Sequence, residues 1–158
     1  MRPICFACEE TLPIAPETIA AQILDLARWR EFTGYAFLAG IASATFEVRT
    51  DNVVGTRIRV VNTDGSSHVE EIVDWQPSST VTLRFGSFSP PVSRLAREFE
   101  ERWDFVVLDS STRVIRSFQL HAKSTLGWLA LWFISFILKR AIARHLRQMR
   151  DSAIAAKT

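Results

Sequence analysis

The sequence contains few of the residues that build metal centres or phosphate-binding loops. Its 158 residues include two cysteines, three histidines and six glycines, and no glycine-rich phosphate motif is present. Cys5 and Cys8 have a C-x-x-C spacing, but they fall in a predicted strand, where positions three apart point to opposite faces. No further cysteine or nearby histidine completes a zinc site. We therefore expect no metal, no cofactor and two ordinary packed thiols.

Other absences bear on partners and location. The formal net charge is +2, which is too close to balance for a general nucleic-acid-binding protein. The first residues, MRPICFACEE, reach acidic side chains before an apolar signal core could form, so we expect a cytoplasmic protein. No repeat, low-complexity segment or linker divides the chain. We predict a single domain over residues 1–158, since the length is that of one domain.

The hydrophobic pattern predicts an α+β chain. A first strand, ICFACEETL, is followed by a helix, APETIAAQILDLARW, and by a short helix or turn, REFTGYAF. From Ser43 onward the period changes to two, and six segments alternate between apolar and polar residues. Short separators such as TDGSS and QPSS predict hairpins and hence an antiparallel sheet. A long helix then begins near Leu126 and is the one element long enough to cover a face of that sheet.

Four segments carry a family resemblance over nearly the whole chain: LPIAPETIAAQILDLARW, VDWQPSSTVTLRF, DSSTRVIRSFQL and LRQMRDS. With them the sequence resembles the START/SRPBCC superfamily, the helix-grip proteins that include lipid-transfer START domains and polyketide cyclase/dehydrase-like members. The resemblance implies a curved seven-stranded antiparallel sheet wrapped around a long C-terminal helix, with two short helices after strand 1. It also implies a cavity between sheet and helix that holds a small hydrophobic or amphipathic molecule.

Strand and helix periodicity indicates which side chains face that cavity. The apolar candidates are Ile58, Val60, Val73, Leu83, Phe85, Trp103, Phe118, Leu131, Ile134 and Leu138. Three charged residues, Glu71, Glu101 and Arg116, share the same predicted faces. They would form a polar patch in the cavity, or they lie at strand ends or are turned outward by a bulge.

The pairing of these polar residues is less well defined by the sequence. The hairpin register we expect brings Arg116 closer to Phe105 than to Glu101, so a direct bridge between Glu101 and Arg116 is not predicted. His68 alternates with Glu70 and is expected on the outer face of the sheet. His145 falls on the inner stripe of the last helix, where a packed, hydrogen-bonded imidazole is the usual outcome.

The last helix has two unlike halves. Leu126 to Leu138 form an uncharged run of thirteen residues, shorter than the roughly 20 needed to span a membrane, so no transmembrane span is predicted. Leu129, Trp132 and Phe136 form an outward apolar patch beside a basic segment, Lys139 to Arg150. A homodimer or the chain's own loop FGSFSPPV could cover this patch. A membrane surface is a further, less favoured, possibility.

The function predicted from these features is binding of a lipid- or polyketide-like ligand in the cavity. The alternative is a polyketide cyclase/dehydrase-type enzyme that uses Glu71 or Glu101 as an acid or base. A third possibility is association through the apolar start of the last helix. No Ser-His-Asp or Cys-His arrangement can be argued and no pattern identifies an enzyme subfamily, so no catalytic residue is assigned.

Overall fold

A computed structural model describes residues 1–158 and shows a seven-stranded antiparallel sheet covered by a long helix. The strands run in the order β1–β7–β6–β5–β4–β3–β2. Their bounds are β1 Ile4–Leu12, β2 Ile41–Val48, β3 Arg57–Asn62, β4 Ser67–Gln76, β5 Thr80–Gly86, β6 Ala96–Val107 and β7 Thr112–Ala122. The helices are α1 Pro16–Leu24, a 3-10 helix Leu26–Glu31, the one-turn α2 Val92–Leu95 and α3 Thr125–Ala156. The predicted helix-grip α+β architecture is confirmed.

The first and last strands are neighbours. β1 pairs with β7 in continuous register from Ile4 opposite Leu120 to Leu12 opposite Thr112. The remaining strands form a meander of hairpins, as the short separators predicted. α3 packs mainly on β1 and β7, so the two ends of the chain hold each other in place.

The first helix is shorter than predicted. Pro16 begins α1 at a position where its missing N–H costs no hydrogen bond, and Glu17 lies at the positive end of the helix dipole. The helix ends at Leu24 rather than near Trp29, and residues 26–31 continue as a 3-10 helix. The indole N–H of Trp29 donates to the carbonyl of Ile23 at 3.0 Å and ties the two segments together.

The start of α3 is fixed against the connection before β6. The Ser124 hydroxyl oxygen accepts a hydrogen bond from the Gly127 N–H at 3.0 Å and caps the helix. A Cβ on Gly127 would lie 2.6 Å from the carbonyl oxygen of Leu95, so only glycine permits this close approach. From there the helix buries Leu131, Ile142 and Leu146 against the sheet, and each such side chain stabilises the fold by roughly 1.5–3 kcal/mol.

The outer face of α3 is uncovered in its first half. By length and composition alone α3 is long and apolar enough to cross a membrane, a test that core helices of soluble proteins also pass. Leu129, Trp132 and Phe136 are all exposed. The prediction that the chain's own loop FGSFSPPV covers this patch is therefore wrong. Phe88 and Val92 of that loop pack against the other side of the helix, in the cluster around Leu131 and Leu120.

Candidate ligand-binding cavity

A cavity of about 230 Å³ lies between the inner face of the sheet and α3. Of the 31 residues that line it, 19 are hydrophobic, so the space favours an apolar occupant. The sheet contributes Leu83 and Phe85, and the helix contributes Leu131 and Ile134. The 3-10 helix and the residue after it close another side with Trp29 and Phe32.

Nine of the thirteen residues proposed from the sequence lie along this cavity. They are Leu83, Phe85, Glu101, Trp103, Arg116, Phe118, Leu131, Ile134 and Leu138. The loop before α2 adds Phe88 and Ser89, and the first residue of α2 adds Val92, so the connection SFSPPVSRLA forms part of the cavity wall.

The other four residues do not line the cavity. Ile58 and Val60 point inward but are completely buried in the main core cluster, which leaves them no surface for a ligand. Glu71 lies on the opposite face of the sheet, in a groove with Arg57 and Arg84. Val73 lies at a register shift in β4, between Ile72 opposite Leu83 and Asp74 opposite Thr82.

This β-bulge explains the error on β4. Trp75 pairs with Val81 and packs on the core, as the sequence indicated. The bulge inserts one extra residue, so the alternation between inward and outward side chains reverses at Val73. The inward residues before the bulge are therefore Ile72, Glu70 and His68. Glu70 and His68 therefore line the cavity, and the expectation that His68 lies on the outer face is wrong.

The carboxylate of Glu101 and the guanidinium of Arg116 form a buried ion pair at the cavity wall. In the register between β6 and β7, Arg116 lies opposite Trp103 and Glu101 lies opposite Phe118. The two charged residues are diagonal neighbours on one face, within reach of long side chains. The register expected from the sequence is shifted relative to the observed one. The expectation that Glu101 and Arg116 form no direct bridge is therefore wrong.

Arg116 is held on three sides. Its Nη1 donates to Nδ1 of His145 on α3 at 2.9 Å. Its guanidinium carbon lies 4.1 Å from the centre of the Trp103 ring, a cation–π contact. Because arginine has no acceptor, Nδ1 of His145 must accept, and the proton of the neutral ring is on Nε2. This network joins the sheet to α3 at the polar end of the cavity.

Burial shifts both titratable neighbours of Arg116 towards their neutral forms. Loss of solvent raises the pKa of Glu101 to about 7, with Arg116 opposing the shift and Glu70 adding to it. Burial, with repulsion from Arg116 and Arg28, lowers the pKa of His145 to about 3. At neutral pH the imidazole is uncharged, and the Glu101 carboxyl is divided between its two protonation states.

Two polar atoms at this end of the cavity make no hydrogen bond of ordinary geometry within the chain. The Arg116 Nε–H donates to Oε1 of Glu101, and Nη2 forms its ion pair with the same oxygen, so Oε2 receives no hydrogen bond from Arg116. The Trp103 indole N–H is buried and makes no hydrogen bond of ordinary geometry, although it lies close enough to the Glu101 carboxylate to lower the pKa of that group. Unpaired buried polar groups are costly, and a cavity is where a ligand or water can satisfy them.

A second polar group lies where β4 enters the cavity. Nε2 of His68 and Oε1 of Glu70 are 2.9 Å apart, and the His68 ring stacks on Phe85 with centroids 5.5 Å apart. Both residues line the same cavity as Glu101, and repulsion from Glu70 contributes to the raised pKa of Glu101, so the pair adds polar groups to that cavity. The sequence contains a signal for this pair, because His68, Glu70 and Ile72 also alternate along β4. The position of Trp75 favoured the other set of residues as the inward one.

The sheet, the long helix and the cavity between them define a helix-grip fold, which a solved structure of a START superfamily protein shares. Among solved structures, an aromatase/cyclase from Streptomyces sp. R1128 superposes with a TM-score of 0.75 at 10% identity, covering 99% of this chain and 96% of that one. A START superfamily protein from Mycobacterium smegmatis gives 0.71 at 11% identity, covering 94% and 97%.

Ara h 8.0201 gives a TM-score of 0.69 at 15% identity, with 97% of this chain and 99% of that one covered. At such identities the similarity shows the fold alone. No known family profile and no curated protein matches the sequence. The chain therefore has the helix-grip architecture, and its function has to be argued from its own cavity.

Proposed function

We propose that the protein binds a small hydrophobic or amphipathic molecule in the cavity between the sheet and α3. The observation that carries the proposal is a mostly apolar cavity that has polar groups at Glu101, Arg116 and His145 and a further polar pair at His68 and Glu70. Such a space suits a ligand with an apolar body and a single polar group, because the body gains from leaving water while the polar group keeps hydrogen bonds.

The geometry supports one orientation of the ligand. The apolar body lies against Leu83, Phe118 and Leu131, and its polar group meets Oε2 of Glu101 or Nε2 of His145. Protonated Glu101 and neutral His145 both offer a donor, which suits an acceptor such as a carbonyl or hydroxyl oxygen.

The volume supports a small ligand. Pockets for drug-sized molecules typically measure about 300–1,000 Å³, and the cavity here is about 230 Å³. A fatty acyl fragment or a compact ring system suits this volume better than a two-chain lipid does. The lipid-like or polyketide-like ligand of this proposal is therefore a single small molecule.

The test is a fluorescence titration with the neutral probe N-phenyl-1-naphthylamine. Ile134→Trp fills the cavity from α3, while Ile137→Trp adds the same bulk on the same helix at a residue that does not line the cavity. We expect saturable enhancement with the wild type and Ile137→Trp, and loss of it with Ile134→Trp. Equal enhancement in all three, or none in the wild type, would contradict the proposal.

A second candidate function is catalysis of the polyketide cyclase/dehydrase type. Glu101 favours it, because a carboxyl with a pKa of about 7 in a cavity can give or take a proton near neutral pH. An aromatase/cyclase also shares the fold. The test is Glu101→Gln: if the variant still binds the probe but no longer converts a polyketide-like substrate that the wild type converts, the enzyme assignment stands. If the wild type binds such compounds without converting them, the enzyme function is contradicted and the binding function stands.

The proposal includes a cytoplasmic location. Fractionation of host cells with an antibody against the protein tests it directly. We expect the protein in the soluble fraction at physiological salt.

A further inference from the structure

One exposed face of α3 combines an apolar half and a basic half. Leu129, Trp132, Phe133 and Phe136 are exposed, and Phe133 is 62% exposed. Trp132 and Phe136 pack edge to face with ring centres 4.9 Å apart, so they form one continuous surface. We call these four side chains the aromatic patch. Trp128 is not part of it, because its indole donates to the carbonyl of Arg2 at 3.1 Å.

The same helix continues as a line of uncompensated cations. Lys139, Arg140, Arg144 and Arg147 are exposed, and none of them takes part in an ion pair. Arg140, Arg144 and Arg147 follow Phe136 at spacings of four, eight and eleven residues, which places them on the same face. We call these four the basic cluster. Arg150 is not included, since it pairs with Glu10 and Asp151.

We propose that this face docks on the surface of an anionic lipid bilayer. The aromatic patch would enter the interface between headgroups and acyl chains, and the basic cluster would lie on the acidic headgroups. Exposed apolar side chains followed by cations on one helix face are the features of an interfacial helix. Burial of Leu131, Ile142 and Leu146 against the sheet keeps α3 attached to the domain, so docking is peripheral.

Charge favours the bilayer over a second copy of this chain. A parallel pairing of two α3 helices would bring two basic clusters together. An antiparallel pairing centred on Trp132 would place Arg140 of one copy beside the helix start of the other, which carries a partial positive charge. Neither arrangement supplies acids to the basic cluster, whereas an anionic surface neutralises all four cations at once.

The position of the patch also suits exchange of ligand with a membrane. Leu131, Ile134 and Leu138 line the cavity from the same part of α3 that carries the aromatic patch on its other side. Docking therefore places the cavity wall one helix diameter, about 10 Å, from the bilayer surface.

The experiment is sedimentation of the full chain with phosphatidylcholine vesicles prepared with and without phosphatidylserine. Trp132→Ser/Phe136→Ser removes the apolar contact, and Arg140→Gln/Arg144→Gln/Arg147→Gln removes three cations. The matched control is Arg59→Gln/Arg102→Gln/Arg113→Gln, which neutralises three exposed cations on the sheet. Circular dichroism and probe binding verify that each variant is folded.

We expect wild-type protein to bind only vesicles that contain phosphatidylserine, and to be released by salt. Each neutralised cation of the basic cluster should weaken partitioning by about fivefold, and the serine variant should also bind less, while the control matches the wild type. No binding to acidic vesicles, or binding that both variants retain, overturns the proposal. A dimer that Trp132→Ser/Phe136→Ser dissociates, without vesicle binding, would assign the face to a second copy.

Discussion

Arg116 reaches from β7 to the carboxylate of Glu101 on β6 and to the imidazole of His145 on α3, and so links the sheet to the helix that covers it. Both members of the ion pair are almost completely buried. A buried charge is tolerated only when it is paired, so each residue of this network depends on the others. The same side chains form the polar end of the cavity, which couples the stability of the fold to the chemistry of the site.

Removal of one partner of the pair should be strongly destabilising. We expect Arg116→Met to lower the free energy of unfolding by about 3–5 kcal/mol, because Glu101 is left buried without its cation. Urea denaturation measures this change. The double variant Glu101→Leu/Arg116→Met should recover much of the loss. As a control, Arg113→Gln removes an exposed pair with Glu9 and should cost no more than about 1 kcal/mol. Equal effects of the buried and exposed variants would contradict the account.

The pH dependence of stability should carry two opposing contributions. Glu101 has a pKa raised from 4.5 to about 7, so the folded state keeps a proton that the unfolded state releases, and its contribution to stability falls as pH rises from about 4.5 to 7. His145 has a pKa lowered from 6.5 to about 3, so the unfolded state gains a proton that the folded state rejects. Its contribution falls as pH drops below about 6.5.

Two variants separate these contributions. We expect Glu101→Gln to lose less stability than the wild type when pH rises from about 4.5 to 7, and His145→Gln to lose less when pH falls from about 6.5 towards 3. Urea unfolding at a series of pH values gives the slopes. Curves for both variants that run parallel to the wild-type curve would show that neither group has a shifted pKa.

The close approach of Gly127 to Leu95 at the start of α3 predicts whether an alanine at position 127 raises or lowers the stability of the protein. In an open helix, glycine to alanine stabilises by about 1 kcal/mol. At Gly127 the added methyl would meet the Leu95 carbonyl oxygen at 2.6 Å, so Gly127→Ala should instead destabilise by about 1–3 kcal/mol. Thermal or urea unfolding decides the sign. A more stable alanine variant would mean that the helix start is free to move away from the preceding connection.

The β-bulge in β4 can be tested with two adjacent glutamates. Glu70 lines the cavity and Glu71 lies on the outer face, although the sequence pattern favoured the reverse. Glu70→Gln should strengthen binding of N-phenyl-1-naphthylamine by about fivefold, because the apolar probe no longer approaches a buried charge. Glu71→Gln should leave binding unchanged. The opposite result would place β4 in the predicted register.

The strands of the sheet differ in how well the sequence predicted their inward residues. In β6 and β7 the alternation runs without interruption through Glu101, Trp103, Arg116 and Phe118, so their inward orientation could be inferred from periodicity. In β4 the inward and outward positions exchange at Val73, and the bulge leaves no clear mark because Ile72 and Val73 are adjacent apolar residues, either of which could face inward. The ion pair was missed for another reason: diagonal contacts depend on register, which strand periodicity alone does not define.

The most direct test of the central claim is native mass spectrometry of the protein purified gently from its own host. The account predicts a wild-type protein that carries one small-molecule adduct, released on denaturation, or that takes up one equivalent of N-phenyl-1-naphthylamine. The Ile134→Trp variant should show neither. A folded wild type without an adduct, and without uptake of the probe at saturating concentration, would contradict a ligand-binding function of the cavity.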